Sequence, residues 1–271
     1  MFTLGRKLHL DDKTNVSIVL FTLSAFILGW LFTRDIGSGF NLGGGVFLSW
    51  ALAREVDPAH SYTAFITATL SLFHLYYVDT VHFLMMAWML LILRAVNGIT
   101  GKKLTLFDIF SAFALTIFLS LNNRNSLYIL VFILALISLF MLQQREKITF
   151  MCAMIALILF LVQSLFLGHC TVIGTEQLNL LNTLVIMSSI LFSILAKFGL
   201  KNLVKNDKGK KTDRTRIFYG QLLYATTIIF FVIFGRLTYS DLVIQLSILW
   251  GVFINYIAIQ IKTYYKKFFS Q

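Results

Sequence analysis

The chain has 271 residues, 58% of them apolar and 13% charged, with a mean hydropathy of +0.81. Soluble domains run at about 45–50% apolar and about 25% charged, so this composition excludes an ordinary soluble globule and intrinsic disorder alike. The formal net charge of +11 would suggest nucleic acid in a soluble protein; here it has to be read by position, because cytoplasmic loops of membrane proteins accumulate Lys and Arg.

A helix that crosses a bilayer needs about 20 largely apolar residues. In chain order such stretches cover 16–33, 36–53, 60–78, 79–93, 104–121, 126–142, 148–168, 178–196, 217–235 and 240–261. The chain therefore reads as all-α: a polytopic transmembrane helix bundle of ten spans, forming a single integral membrane domain over 1–271. The first stretch follows a basic start and leads into Arg34-Asp35 rather than a small-residue cleavage site, so it is expected to stay as an anchor. The second carries Gly37, Gly39, Gly43, Gly44 and Gly45. It is either a span whose glycines allow close helix packing or a re-entrant segment of non-helical backbone. In the re-entrant case eight spans result, and 60–93 would have to cross once as a helix of about 51 Å, too long for a core of about 30 Å. Ten is the preferred count.

Local signals mark the breaks. Asp57-Pro58 predicts an N-cap followed by the first helical residue, where the missing N–H of Pro is harmless. Thr105 with Asp108, and Thr238 with Asp241, have capping-box spacing. Residues 122–125 (Asn-Asn-Arg-Asn) form a polar break. The stretch 197–216 is a basic loop with only Asp207 and Asp213 against its cations. Placed in the cytoplasm, it would lie against anionic lipid headgroups; nothing else in the sequence supports a nucleic-acid partner.

With the N-terminus inside, every Lys and Arg except Arg34, Arg124 and Arg236 falls on the cytoplasmic side. The positive-inside bias thus orients a multi-pass plasma-membrane protein with both termini cytoplasmic. Cys152 and Cys170 would sit at opposite ends of one predicted helix, about 27 Å apart, and cannot bridge each other.

Three constellations could carry chemistry. In Phe73-His-Leu-Tyr-Tyr-Val-Asp-Thr-Val-His82, a helical turn near residue 78 would bring His74 and His82 face to face with Asp79 at the tip. Two imidazoles and a carboxylate can relay protons or hold a transition metal; the structural alternative is that Asp79 caps the fourth helix. Next, Arg34, Arg124 and Arg236 run against the positive-inside bias and could grip a phosphate or carboxylate; alternatively they pair with nearby acids or snorkel. Finally, Gly43-Gly44-Gly45 before an apolar helix could expose N–H groups to an anion, or could simply let helices approach closely. The run is neither a P-loop nor a dinucleotide fingerprint. Arg54-Glu55-Val56-Asp57 reads as a salt bridge plus a cap.

No cofactor follows from these residues. The Asp-rich pairs of membrane prenyltransferases and the Gly-x-Ser-Gly nucleophile of rhomboid-type proteases are absent. The expected function is a transporter or permease for a small, anionic or lipid-like solute. The alternatives are a membrane enzyme or binder acting on a phosphate-bearing lipid from outside, with His74, Asp79 or His82 as acid–base groups, and a non-catalytic assembly factor.

Overall fold

The computed structural model describes residues 3–6, 11–77, 79–142, 146–169, 179–199, 207, 209–234 and 237–269. It is all-helical, at 82% helix, without strands among the described residues. Among the described residues ten α-helices follow one another: α1 Lys13–Thr33, α2 Ile36–Val56, α3 Ser61–Ser71, α4 Phe83–Asn97, α5 Leu106–Asn122, α6 Leu127–Met141, α7 Glu146–Leu161, α8 Leu180–Gly199, α9 Arg214–Phe234 and α10 Tyr239–Phe269. A 3₁₀ segment, Leu72–Tyr77, continues α3, and a π-helical turn, Val162–Phe166, continues α7. Among the described residues five stretches are long and apolar enough to cross a membrane: Lys13–Thr33, Lys147–Phe166, Leu180–Lys197, Arg214–Phe234 and Tyr239–Thr263. The architecture fits a membrane protein. Large apolar side chains such as Phe32, Leu31 and Phe166 stand open on helix surfaces (76%, 65% and 81% exposed), as expected where lipid is the solvent.

The helices gather into two compact units. One holds residues 1–8 and 84–237, the other 9–83 and 238–271. In the first, α4, α5, α6 and α9 meet in an aromatic core. Trp88 sits edge-on to Tyr128 and Phe231, at 5.1 and 6.2 Å between ring centroids, and its indole N–H donates to Thr116 Oγ1 at 2.8 Å. Phe113 stacks on Phe132. One end of this unit is a polar knot. Asp108 forms the expected capping box with Thr105 and also accepts from the Thr3 N–H and hydroxyl at 2.7 and 2.6 Å. Arg94 donates to Leu4 O, Arg6 pairs with Asp207, and the Asp207 N–H donates to Ile99 O. Arg216, read from sequence as one more cation of the basic loop, donates to Val96 O and Ala95 O instead. It thereby satisfies the last carbonyls of α4, a favourable place for a cation. A second knot joins Ser120 to Gln163, Ser126 to Ser164, and the Ser126 N–H to His169 O; the π-turn supplies Gln163 and Ser164.

The second unit holds α1, α2, α3, the 3₁₀ segment and α10. Asp12 caps α1 and Asp35 caps α2 through the Ser38 N–H. Arg34 closes α1 in the left-handed region, at φ 55°. The glycines of α2 let α1 approach: a Cβ on Gly39 would fall 2.9 Å from Phe26 O, and one on Gly43 3.1 Å from Thr22 O. Gly39 and Gly43 stand four apart, the small-xxx-small spacing of closely packed membrane helices.

Two expectations are corrected and one alternative falls. α3 begins at Ser61, three residues beyond Pro58, with His60 in the N-cap position, because Asp57 is drawn back to close α2 through its own N–H to Ala53 O. α4 begins at Phe83 rather than 79, so Asp79 does not cap it; the Asp79 carboxylate is taken by Tyr239 N–H instead. Residues 36–56 are continuous α-helix, which removes the non-helical re-entrant backbone. Residues 200–206 and 208 of the basic loop and Cys170 lie outside the described residues, whereas Cys152 is a buried free thiol.

Candidate functional site

The chemistry of the second unit is concentrated on one face of α3. His60, Thr63, Thr67, Ser71 and His74 recur at three- and four-residue intervals, so they share a helix face. Thr63, Thr67 and Ser71 are fully buried and His74 is 2% exposed. In a chain this apolar, a buried polar row is costly unless its members find partners. Most do. Asp57 accepts from Thr63 Oγ1 at 2.6 Å, and one of its oxygens lies 3.0 Å from His60 Nδ1. Ser71 Oγ is 3.0 Å from Ser49 Oγ of α2, and each also reaches a carbonyl three residues back, Ala68 O and Val46 O, at 2.8 Å. Thr67 Oγ1 has no hydrogen-bond partner and lies against Gly251 of α10, where a Cβ would collide with it. α10 adds buried Asp241, Gln245 and Asn255, and α2 adds buried Glu55.

His74 stands between α2 and α10. A Cβ on Gly45 would lie 2.7 Å from His74 Cε1 and 3.0 Å from Ile244 Cδ1. Nδ1 is bonded to Ser71 O, and Nε2 faces Asn41 O at 3.3 Å.

At the end of the row, residues 79–82 are stitched to the start of α10. The expected capping box forms: Thr238 N–H reaches Asp241 Oδ2, and Asp241 N–H reaches Thr238 Oγ1. Asp241, wholly buried, also accepts from the His82 N–H at 3.0 Å and holds His82 Nδ1 at 2.5 Å. Thr238 Oγ1 donates to Thr80 O and Ser240 Oγ to Asp79 O. The Asp241 hydrogen bond, working against partial burial of the ring, raises the His82 imidazole above its ordinary value. At the other end the Asp57 hydrogen bond does the same for His60. The row thus runs between two carboxylate–imidazole pairs.

Among the expected site residues, His74 and His82 are separately engaged. His74 sits on backbone carbonyls, while His82 sits on Asp241. Asp79 accepts from Thr80 and Tyr239 N–H groups. Among the described residues no three His, Cys, Asp or Glu form a group that could hold a metal ion. Gly43, Gly44 and Gly45 lie inside α2. Their N–H groups belong to the helix interior, so the anion cradle does not form; Gly44 packs on Phe83 and Gly45 on His74. Arg34 is exposed after α1, and Arg124 follows α5 in the left-handed region at φ 47°. Arg236 lies outside the described residues.

Sequence reasoning passed over Thr63, Thr67, Ser71, Ser49 and Asp241 as site residues. The signal for the α3 row was present in the spacing 60, 63, 67, 71, 74, but Ser and Thr satisfy themselves on their own helix backbone so commonly that the row carries little weight until its burial is known. Comparison of the chain with protein-family models, curated proteins and solved structures found no match.

Proposed function

We propose that the chain is a ten-span permease for a small solute, with both termini cytoplasmic and its translocation route along the buried polar face of α3. The observation that carries the reading is that row of fully buried hydroxyls and imidazole in a protein whose exterior is apolar. Polar and ionisable groups at membrane depth are expensive and mark pathways by default.

The topology has independent support. Thr3, Leu4 and Arg6 contact Asp108, Arg94 and Asp207, all of them residues that the charge bias assigns to the cytoplasm. α3 with its 3₁₀ continuation has only 17 residues, yet the 2.0 Å rise of the 3₁₀ turns brings it to about 28 Å, close to a hydrocarbon core of about 30 Å. α4, α5 and α6, at 15, 17 and 15 residues, fit spans in a locally thinned bilayer. The basic segment 197–216 then rests on anionic headgroups of the inner leaflet. The lipid-phosphate alternative is weakened, since it relied on a glycine cradle that is occupied by helix packing.

The test is uptake of a small-metabolite mixture into proteoliposomes, read by mass spectrometry. One or more solutes should accumulate, and Ser71→Ala combined with Thr67→Val should cut that flux at least about tenfold, the loss expected when buried polar partners of a passing solute are removed. Absence of flux under every imposed ion gradient and membrane potential overturns the reading.

A further inference from the structure

We infer that His74 is the proton-binding site of this permease, and that its protonation fastens the 3₁₀ segment to α2. The inference rests on the permease reading for its role but on separate geometry for its existence.

Both ring nitrogens of His74 face backbone carbonyl oxygens: Nδ1 meets Ser71 O, one turn back on its own helix, and Nε2 meets Asn41 O of α2 at 3.3 Å. A carbonyl oxygen only accepts. The neutral ring has one N–H, so with Nδ1 protonated, Nε2 presents a lone pair to the lone pairs of Asn41 O. The imidazolium has two N–H groups and satisfies both carbonyls. The proton therefore adds one bond, Nε2–H to Asn41 O, and that bond joins two helices. It comes from water and leaves to water; no other bond is made or broken.

The surroundings fit a ring that changes charge without changing place. From α2 it meets Gly45 as well as Asn41 O, and any Cβ at 45 would occupy the ring's space. From α10 the nearby side chain is Ile244; burial of the ring opposes its charged form, while the two carbonyls and, more weakly, the Asp241 carboxylate favour it. Asp241 is also the partner of His82, which is 43% exposed at its side chain and has Asp79 as its further acidic neighbour. Thr67 Oγ1, unpartnered and fully buried two turns further along the same face, is a second polar group turned into this interface without a protein partner.

The experiment is ¹⁵N-histidine NMR of the full chain in lipid bilayers. The His74 signal is assigned by its contact with a ¹³C-labelled Ser71 carbonyl and by its loss in His74→Gln. On lowering the pH from about 8 to about 5, the range in which histidines change charge, His74 should pass from the Nδ1–H tautomer to the doubly protonated ring. The new Nε2–H should couple to the Asn41 carbonyl. In Asp241→Asn, losing that carboxylate should displace the transition downward. A ring that remains a single neutral tautomer throughout, or that titrates without a bond to Asn41, overturns the inference; the wild-type measurement decides this even if the variant does not fold. Solute uptake is scored on the same preparation. Titration without uptake sinks the permease reading and leaves the site, and uptake without titration does the reverse.

Discussion

The two units bury different things. In the α4–α9 unit the centre is Trp88, Tyr128, Phe231, Phe113 and Phe132, with one tryptophan N–H closed off by Thr116. In the unit of α1–α3 and α10 the centre is Thr63, Thr67, Ser71, Ser49 and His74, packed against glycines. Aromatic packing holds helices together and exposes nothing reactive; a polar row contributes less to packing and costs desolvation. On the proposed reading the first unit serves stability and the second passage, and substitutions in each should fail in different ways.

The largest stability effect should come from Trp88→Ala, which empties the aromatic centre and costs about 3–5 kcal/mol, read as a fall in the thermal midpoint in detergent; a shift no larger than that of a surface substitution would erase the contrast. Asp241→Asn comes next. It removes a buried charged acceptor shared by His82 and the α10 cap, at about 1.5–3 kcal/mol. Its pH dependence has a definite sign. His82 is raised in the folded state, so its contribution is complete below the ordinary histidine value of 6.5 and is lost as pH rises through the raised folded value. Wild type should therefore lose stability from that contribution on the alkaline side, and Asp241→Asn should not. Gly251→Ala drives a methyl into Thr67, and Gly45→Ala drives one into His74; each should cost about 1–3 kcal/mol and block uptake. The smallest effect carries the most information. Thr67→Val removes an unpartnered buried hydroxyl and should stabilise by about 1 kcal/mol while lowering flux. Stability and flux falling together would make Thr67 an ordinary packing residue.

What the sequence revealed follows the range of the interactions involved. The capping boxes at Thr105 and Thr238 are local, and both form. The start of α4 was misplaced because Asp79 looks like a cap until Tyr239, 160 residues away, claims its carboxylate. The glycine run allowed two readings, since cradle and packing differ only in whether the helix has already begun. It begins at Ile36, where Asp35 caps it, so Gly43–45 fall in its interior. Arg216 looked like loop charge because nothing local says that the α4 carbonyls need it. The α3 row was written in the spacing but not its burial, which depends on α2 and α10 closing over it from distant parts of the chain.

The claim that the α3 face is a route through the membrane is tested most directly by thiol accessibility. Cysteine is placed singly at Thr67, Ser71 and, as the comparison, Thr116, in a protein whose Cys152 and Cys170 are serine, and labelled in bilayers with a small charged methanethiosulfonate. All three positions are completely buried. A route is expected to admit water and reagent to 67 and 71 while 116 stays unlabelled; equal protection at all three would contradict it.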